Sequence, residues 1–323
     1  MEAAIVLFFA HVLWVRVNRW WAVFLVCALA SSMFPFYTRF SFMAFHAVLF
    51  AALWFTLLVL FIDRDQTSVL MDAMCIIAIF QVAYMCLQAL GLDPLFKPAA
   101  GMTERPVTGL MANRNEVSAL LAFCFPAFLR GRWKWGLLAI LLGLCLARTA
   151  AGLVSAAAGW AFFQCLRGRL YSGLAAAAGG VLLYVLLIDG FGTERLEVWR
   201  RGLLLYKQHW LLGSGIGHWK AVAPVIDGNR WTYAHNEYLQ GLFEMGIPFA
   251  VIVFGYLCRV AVRTWRIFSA AGRDARPTNT MIAATALVVV AANAGINFPF
   301  HVATTAMVAV TWMALFEIES RCV

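Results

Sequence analysis

The chain contains 323 residues, of which 63% are hydrophobic, and its mean hydropathy is +0.80. Its 25 basic and 16 acidic residues fall in short clusters between long apolar runs, which is typical of a polytopic helical membrane protein and excludes a soluble one. Arginines at the inner ends of membrane helices explain more than half of the basic residues, so the net charge of +9 does not indicate a nucleic-acid partner.

The apolar runs predict eleven membrane helices, because the hydrocarbon core of a bilayer needs about 20 apolar residues per helix. The predicted spans are residues 2–15, 20–36, 41–62, 69–92, 115–129, 133–147, 149–166, 171–189, 236–258, 280–298 and 300–318. Several are short, so they must tilt or thin the bilayer locally. The predicted fold class is all-α, a polytopic bundle of about 11 transmembrane helices forming a single membrane domain over residues 1–323. A long loop covers residues 190–235, and the last three spans lie within residues 236–318.

Short basic loops set the predicted orientation. With alternate loops inside, the inner loops hold 14 basic residues and the outer loops hold 11, so the totals alone decide little. The basic clusters at 130–134, 167–169 and 259–276 fall on one side, and short loops are the ones that obey the positive-inside rule. We therefore expect the amino terminus and the 190–235 loop outside, in the periplasm, and the carboxyl terminus inside.

The long loop begins with a predicted amphipathic helix over residues 194–210. At about 100° per residue, five apolar and aromatic residues fall within an arc of about 80°; they are Leu196, Trp199, Leu203, Tyr206 and Trp210. This pattern predicts a helix that lies on the outer membrane surface. Arg201 lies on the opposite side, whereas Arg195 projects beside the apolar arc. From the pattern alone, Arg195 is equally well explained as a side chain that reaches lipid phosphate.

Three glycines follow this helix, at Gly213, Gly215 and Gly217. They allow the backbone to turn tightly and to approach another group closely. As a phosphate-binding loop the signal is weak, because no Lys-Ser/Thr pair follows and no strand precedes it. A simpler interpretation is that Gly217 ends the helix or packs against a span.

His235 and Asn236 stand where the chain re-enters the membrane. Asn236 is a good N-cap, which places His235 at the positive end of a helix dipole and keeps its ring neutral. A neutral imidazole at this level is a candidate general base, although a lone histidine here also fits a simple anchor for the helix end. Glu244 lies about 12 Å further along the helix, where a carboxylate usually faces a cavity or a cationic partner.

Polar groups also mark three other outer span ends. Asn113, Arg114 and Asn115 open the fifth span, and Arg148 lies at a very short outer turn. His301 follows Pro299 between the last two spans. Each alone fits a cap or a turn, but all are predicted on the same face as His235.

In chain order, these residues resemble the pattern of the O-antigen ligase/polymerase superfamily. The matching segments are Gly109-x-x-x-Asn113-x-Asn115, Arg148-Thr149, Arg195-x-x-x-Trp199, Gly213-x-Gly215-x-Gly217, His235-Asn236-x-x-Leu239-x-x-x-x-Glu244-x-Gly246 and Phe298-Pro299-x-His301. The match covers about residues 105–305, and the His-Asn segment is its most specific part. The chain departs from the family in length, since many members have about twelve spans.

The resemblance implies a metal-independent membrane glycosyltransferase of the GT-C type, without cofactor, in the bacterial inner membrane. Its donor would be an undecaprenyl pyrophosphate-linked glycan, and its active site would face the periplasm. Arg148 and Arg195 would hold the pyrophosphate and His235 would act on the acceptor hydroxyl. The other residues expected to bind substrate are Asn113, Arg114, Asn115, Arg201, Gly213, Gly215, Gly217, Asn236, Glu244 and His301. No close acidic pair occurs in the outer loops and no Cys-x-x-Cys pair occurs, so no metal site is predicted.

The sequence leaves the acceptor open. A ligase would use lipid A core, a polymerase a second undecaprenyl-linked repeat, and a related transferase the protein pilin; the ligase is slightly favoured. A transporter or flippase would use the same arginines to bind an anionic lipid without breaking a bond. Against it, the polar residues gather at one face and no inverted repeat is visible. A non-catalytic membrane partner in glycan assembly is a third alternative.

We predict that residues 190–235 are periplasmic and that residues 259–279 are cytoplasmic. In whole cells, an impermeant thiol reagent should label Gly228→Cys and should not label Thr278→Cys, with the unsubstituted chain as the background control. Labelling of Thr278→Cys alone would invert the topology.

Overall fold

A computed structural model describes residues 7, 10–12, 14, 18–33, 38–93, 95, 107–187, 191–227, 232–271 and 278–321. Across these ranges the chain forms helices and turns, with no strand. The first predicted span, 2–15, lies mostly outside the described residues, so its prediction stays open. The all-α class is confirmed for the described part of the chain.

Twelve α-helices make up the described structure. They are α1 Arg19–Ser32, α2 Thr38–Phe61, α3 Thr67–Ala89, α4 Arg114–Cys124, α5 Gly136–Ala147, α6 Ala150–Leu166, α7 Leu170–Leu187, α8 Phe191–Tyr206, α9 Trp219–Asp227, α10 Glu237–Ala271, α11 Asn279–Ala294 and α12 Ala303–Glu319. Four short 3₁₀ segments join them, at Arg64–Gln66, Gly109–Met111, Phe125–Arg130 and Pro299–His301.

Three helical stretches are long and apolar enough to cross a membrane, by length and composition: Arg39–Phe61, Arg64–Ala89 and Glu237–Ser269. Shorter apolar helices of 10–17 residues accompany them, including α1, α5 and α6. These helices support the prediction of a helical membrane protein. The count of eleven spans stays a prediction.

The chain divides into two compact units. The first contains residues 1–62, 190–266 and 294–298, and the second contains residues 63–189, 267–293 and 299–323. The prediction of one membrane domain is not decided by this division.

The second unit is built around large buried side chains. Trp312 is fully buried, and its indole N–H donates to the carbonyl of Phe123 at 2.7 Å. At one end of the unit, the buried carboxylate of Glu319 accepts from Arg64 Nε at 3.0 Å and from Asn279 at 3.0 Å. These long-range bonds fix the start of α3 and the start of α11 against the end of α12.

The first unit contains the predicted long loop, and α8 in it differs from its prediction. The helix ends at Tyr206 instead of 210, and turns follow it. The predicted apolar arc is divided: Leu196 is 60% exposed, whereas Trp199 is partly buried and packs against the core cluster that surrounds Trp219. Val198 of α8 is buried in this cluster together with residues of α9 and α10.

A kink inside α10 allows the long loop to bond to this helix. Gly246 has φ 65° and ψ −151°, which breaks the helical geometry, and Pro248 has no N–H to donate to the carbonyl of Glu244 four residues earlier. The N–H of Ile247 bonds to the carbonyl of Leu211 at 3.2 Å. The carbonyls of Phe243 and Glu244 are therefore available to groups outside the helix.

The glycine loop, residues 211–217, donates backbone hydrogen bonds to both carbonyls. The N–H of Ser214 donates to Phe243 O and the N–H of Gly215 donates to Glu244 O, each at 2.9 Å. A Cβ on Gly213, whose φ is 77°, would lie 2.3 Å from Glu244 O. Gly213 is thus required by close contact with α10.

We predict that Gly246→Ala destabilises the protein by about 1–3 kcal/mol. A Cβ there would lie 2.6 Å from two backbone atoms, Gly213 N and Leu211 O, and the left-handed φ adds strain. Gly131→Ala is the matched control, because Gly131 also has a positive φ of 83° but has no atom within 4 Å of its Cβ position. Thermal unfolding of the purified variants should show the larger loss for Gly246→Ala, and equal losses would contradict the contact.

Candidate functional site

His235 is buried in a strained backbone conformation. It is 8% exposed, its φ is 53°, and its ring lies edge-on to Phe298 with centroids 4.6 Å apart. Among the described residues, only Ala112, Arg148 and His235 combine a positive φ with a side chain. Such conformations cost free energy and cluster at functional sites. Two of the three are residues that the sequence predicts to be catalytic.

Neighbouring hydrogen bonds hold His235 in this conformation. The N–H of Ala234 donates to Gln240 Oε1 at 3.2 Å, and its carbonyl accepts from Trp199 Nε1 at 2.7 Å. On the other side, Asn236 Oδ1 accepts from the N–H of Leu239 at 3.0 Å, which confirms the predicted N-cap of α10. The backbone is therefore fixed on both sides of the histidine.

Arg195 lies close to His235. Its Nη1 donates to the carbonyl of Ile296 at 3.2 Å, which orients the guanidinium. Burial, and after it the positive charge of Arg195, lower the pKa of His235 to about 3. The ring is neutral at pH 7, as the sequence predicts, and burial and Arg195 are the causes. The contribution of the helix dipole stays a prediction.

Glu244 supports the histidine indirectly. It is 5% exposed, and its Oε1 accepts from the first N–H of α9, that of Trp219, at 3.2 Å and from Gln240 Nε2 at 3.1 Å. The cavity or cationic partner that the sequence predicts for this carboxylate stays a prediction. Because Gln240 also bonds to Ala234, Glu244 positions the backbone beside His235. Its predicted contact with a sugar hydroxyl stays a prediction.

The other predicted residues of the loop make structural contacts. Gly215 bonds to Glu244 O, and a Cβ on Gly217 would lie 2.6 Å from the carbonyl of Phe40. Arg201 donates to Glu197 at 2.7 Å and to the carbonyl of Ile226 at 2.8 Å, so it joins α8 to α9. Contacts of these residues with substrate stay predictions.

The remaining predicted residues belong to the second unit. Asn113 Oδ1 caps α4 by accepting from the N–H of Asn115 at 2.8 Å. Arg114 is exposed, as is Arg148, which ends α5 in a left-handed conformation with φ 52°. His301 is exposed at the end of the Pro299–His301 turn.

An aromatic group that the sequence does not predict lies beside His235. The ring of Tyr233 stacks on Phe298 with centroids 4.9 Å apart, and Lys220 Nζ lies 4.8 Å from the centroid of the Tyr233 ring. These residues come from three separate segments, so no helical period joins them. In the sequence, only Phe298 indicates this group, because it belongs to the Phe-Pro-x-His segment.

Within the described residues, no group of three or more His, Cys, Asp or Glu side chains is arranged to hold a metal ion. No known protein family, curated protein or solved structure matches this chain. The resemblance to the O-antigen ligase/polymerase superfamily therefore rests on the residues of this chain alone.

We predict that Arg195→Gln raises the pKa of His235, because it removes a positive charge that disfavours the imidazolium. NMR titration of the labelled histidine in purified protein measures this pKa. Arg200→Gln is the matched control, since Arg200 lies on the same helix and its side chain bonds to Glu197 at 2.8 Å. An unchanged pKa in Arg195→Gln would mean that burial alone keeps the ring neutral.

Proposed function

We propose that the protein is a membrane glycosyltransferase of the O-antigen ligase type. It transfers glycan from a polyprenyl pyrophosphate, such as undecaprenyl pyrophosphate, to an acceptor hydroxyl. The observation that carries the proposal is a buried, neutral imidazole held in a strained conformation beside an oriented guanidinium, His235 with Arg195. This pair supplies a base and a cation, which are the two groups that the reaction needs.

Arg195 is assigned to the leaving group. Pyrophosphate is a weak base that departs without a general acid but needs positive charge, and a guanidinium fork matches phosphate oxygens in a bidentate way. Its bond to Ile296 holds the fork in place before the donor arrives. Arg148, in the second unit, stays a predicted ligand of the pyrophosphate; its side chain is exposed and its backbone is left-handed.

His235 is assigned to the acceptor. The acceptor oxygen forms a bond to the anomeric carbon, the bond from that carbon to the pyrophosphate oxygen breaks, and the acceptor proton passes to the imidazole. With a pKa of about 3 the free ring is a weak base. A bound pyrophosphate offsets the charge of Arg195, so the pKa of His235 rises when the donor is present.

The location of His235 supports a lipid-linked donor. It lies two residues before Glu237–Ser269, which is long and apolar enough to cross a membrane. In this proposal the polyprenyl chain stays in the bilayer while its pyrophosphate meets Arg195 at the surface. The eleven-span topology, with this surface on the periplasmic side of the bacterial inner membrane, belongs to the same proposal.

Lipid A core is the proposed acceptor, with an undecaprenyl-linked repeat or pilin as alternatives. A transporter that binds the same donor explains a cation beside the membrane. It does not explain a buried neutral imidazole in a strained backbone, because transport breaks no bond and needs no base.

We predict that purified protein in detergent transfers glycan from undecaprenyl pyrophosphate and that excess EDTA leaves the rate unchanged. His235→Asn should lower the rate by about 10²–10⁴-fold while donor affinity is largely kept. Asparagine is the informative substitution, because it tolerates the left-handed backbone and removes the base. Arg195→Lys should weaken donor binding as well as turnover, because it keeps the charge and loses the fork.

Each alternative has a distinct result in this assay. The acceptor that is glycosylated, among lipid A core, a lipid-linked repeat and pilin, identifies the type of transferase. Donor binding without transfer in the wild type favours a transporter. A wild-type rate in His235→Asn would make the histidine a helix anchor, and activity that requires one added cation would indicate another class of transferase.

A further inference from the structure

Four arginines of the first unit line one pocket. Arg19 is the first residue of α1, and the other three belong to α10; they are Arg259, Arg263 and Arg266. The pocket measures about 330 Å³, and the remaining lining residues are Cys258 and Val262. No acidic residue lines it.

Packing between α1 and α10 explains this convergence. Gly255 lies directly against the indole of Trp20, since a Cβ on Gly255 would lie 2.2 Å from Trp20 Cη2. Asn18 caps α1 by accepting from the N–H of Trp20 at 2.9 Å, which fixes the position of Arg19. Residues 259, 263 and 266 follow at spacings of four and three, so their side chains share one face of α10.

Arg19 stands in an unfavourable place for a cation. It is the first residue of α1, where the helix dipole opposes a positive charge. Arg19 and Arg266 form no ion pair with any residue in the described ranges. The positive-inside rule accounts for arginines on this side of a membrane, but it does not account for four of them around one cavity.

The residues exposed along α10 change from apolar to basic at the pocket. Along α10, the exposed apolar residues Val251, Phe254 and Leu257 precede the first arginine of the pocket. Trp265 is 69% exposed among the arginines, and exposed tryptophans mark the interface between hydrocarbon and water. The exposed apolar face of α10 thus leads to the arginine pocket, which is the pattern expected at a boundary between hydrocarbon and water.

We propose that the arginine pocket binds the phosphate of an anionic phospholipid head group. Guanidinium groups bind phosphate oxygens through charge-assisted hydrogen bonds, and basic pockets between membrane helices suit anionic lipids. The acyl chains lie along the exposed apolar face of α10. This site does not depend on the proposed glycosyl transfer, since none of its residues belongs to the group around His235.

Native mass spectrometry of the full chain, delipidated in detergent and supplied with defined lipids, tests the proposal. Phosphatidylglycerol or cardiolipin should bind more tightly than phosphatidylcholine. Arg263→Gln and Arg266→Gln should each weaken anionic-lipid binding about fivefold. Arg263→Lys should weaken it less, because it keeps the charge. The matched control is Arg167→Gln with Arg169→Gln, at the basic turn between α6 and α7, which should leave anionic-lipid binding unchanged.

The results of this experiment distinguish a phospholipid head group from a soluble phosphate compound as the ligand of the pocket. Equal binding of phosphatidylcholine, or equal loss in the control variant, would overturn the proposal. Full competition by millimolar inorganic phosphate would assign the pocket to a soluble phosphate compound instead of a lipid. Helicity and elution volume identify any variant that fails to fold, and Arg263→Lys then carries the comparison. Glycosyl transfer is measured separately, so failure of one proposal is distinguishable from failure of the other.

Discussion

Two backbone carbonyls that α10 does not use connect the glycine loop to the membrane helix. Pro248 cannot donate to Glu244 O, and Ile247 donates to Leu211 instead of Phe243, so both carbonyls accept from the loop. An unpaired carbonyl in a buried kink would cost free energy, and the loop removes that cost. The break in α10 is therefore also the attachment point of the segment that leads to the candidate site.

The Glu244 side chain extends this connection to the histidine. It joins the start of α9 to Gln240, and Gln240 holds the N–H of Ala234. A left-handed residue other than glycine costs about 1–2 kcal/mol, and the bonds on Ala234 offset that cost at about 1 kcal/mol each. His235 keeps its left-handed conformation because hydrogen bonds to α8 and α10 hold the residues on both sides of it.

Most of what the sequence predicted correctly is local, and most of what it missed is long-range. The cap at Asn236 depends on neighbouring residues, so the residue type and position were enough to identify it. The stacking of Tyr233 on Phe298 joins segments more than sixty residues apart and has no period in the sequence. The end of α8 was placed too late because the predicted apolar arc continues to Trp210 past the last helical residue. The positive-inside rule counted Arg19 and the arginines of α10, but only the contact of α1 with α10 brings them together.

The choice between a catalytic and an anchoring histidine depends on charge. Asn236 already supplies the cap that the start of α10 needs, so the helix end does not depend on His235 for a cap. His235 is instead buried beside Arg195, with a pKa of about 3 against an ordinary value of 6.5. Since its folded pKa is lowered, the ring costs stability as the pH falls below 6.5, because the unfolded chain then binds a proton that the folded chain excludes. An anchor gains nothing from that cost, whereas the proposed base would stay neutral until an anionic donor reaches Arg195.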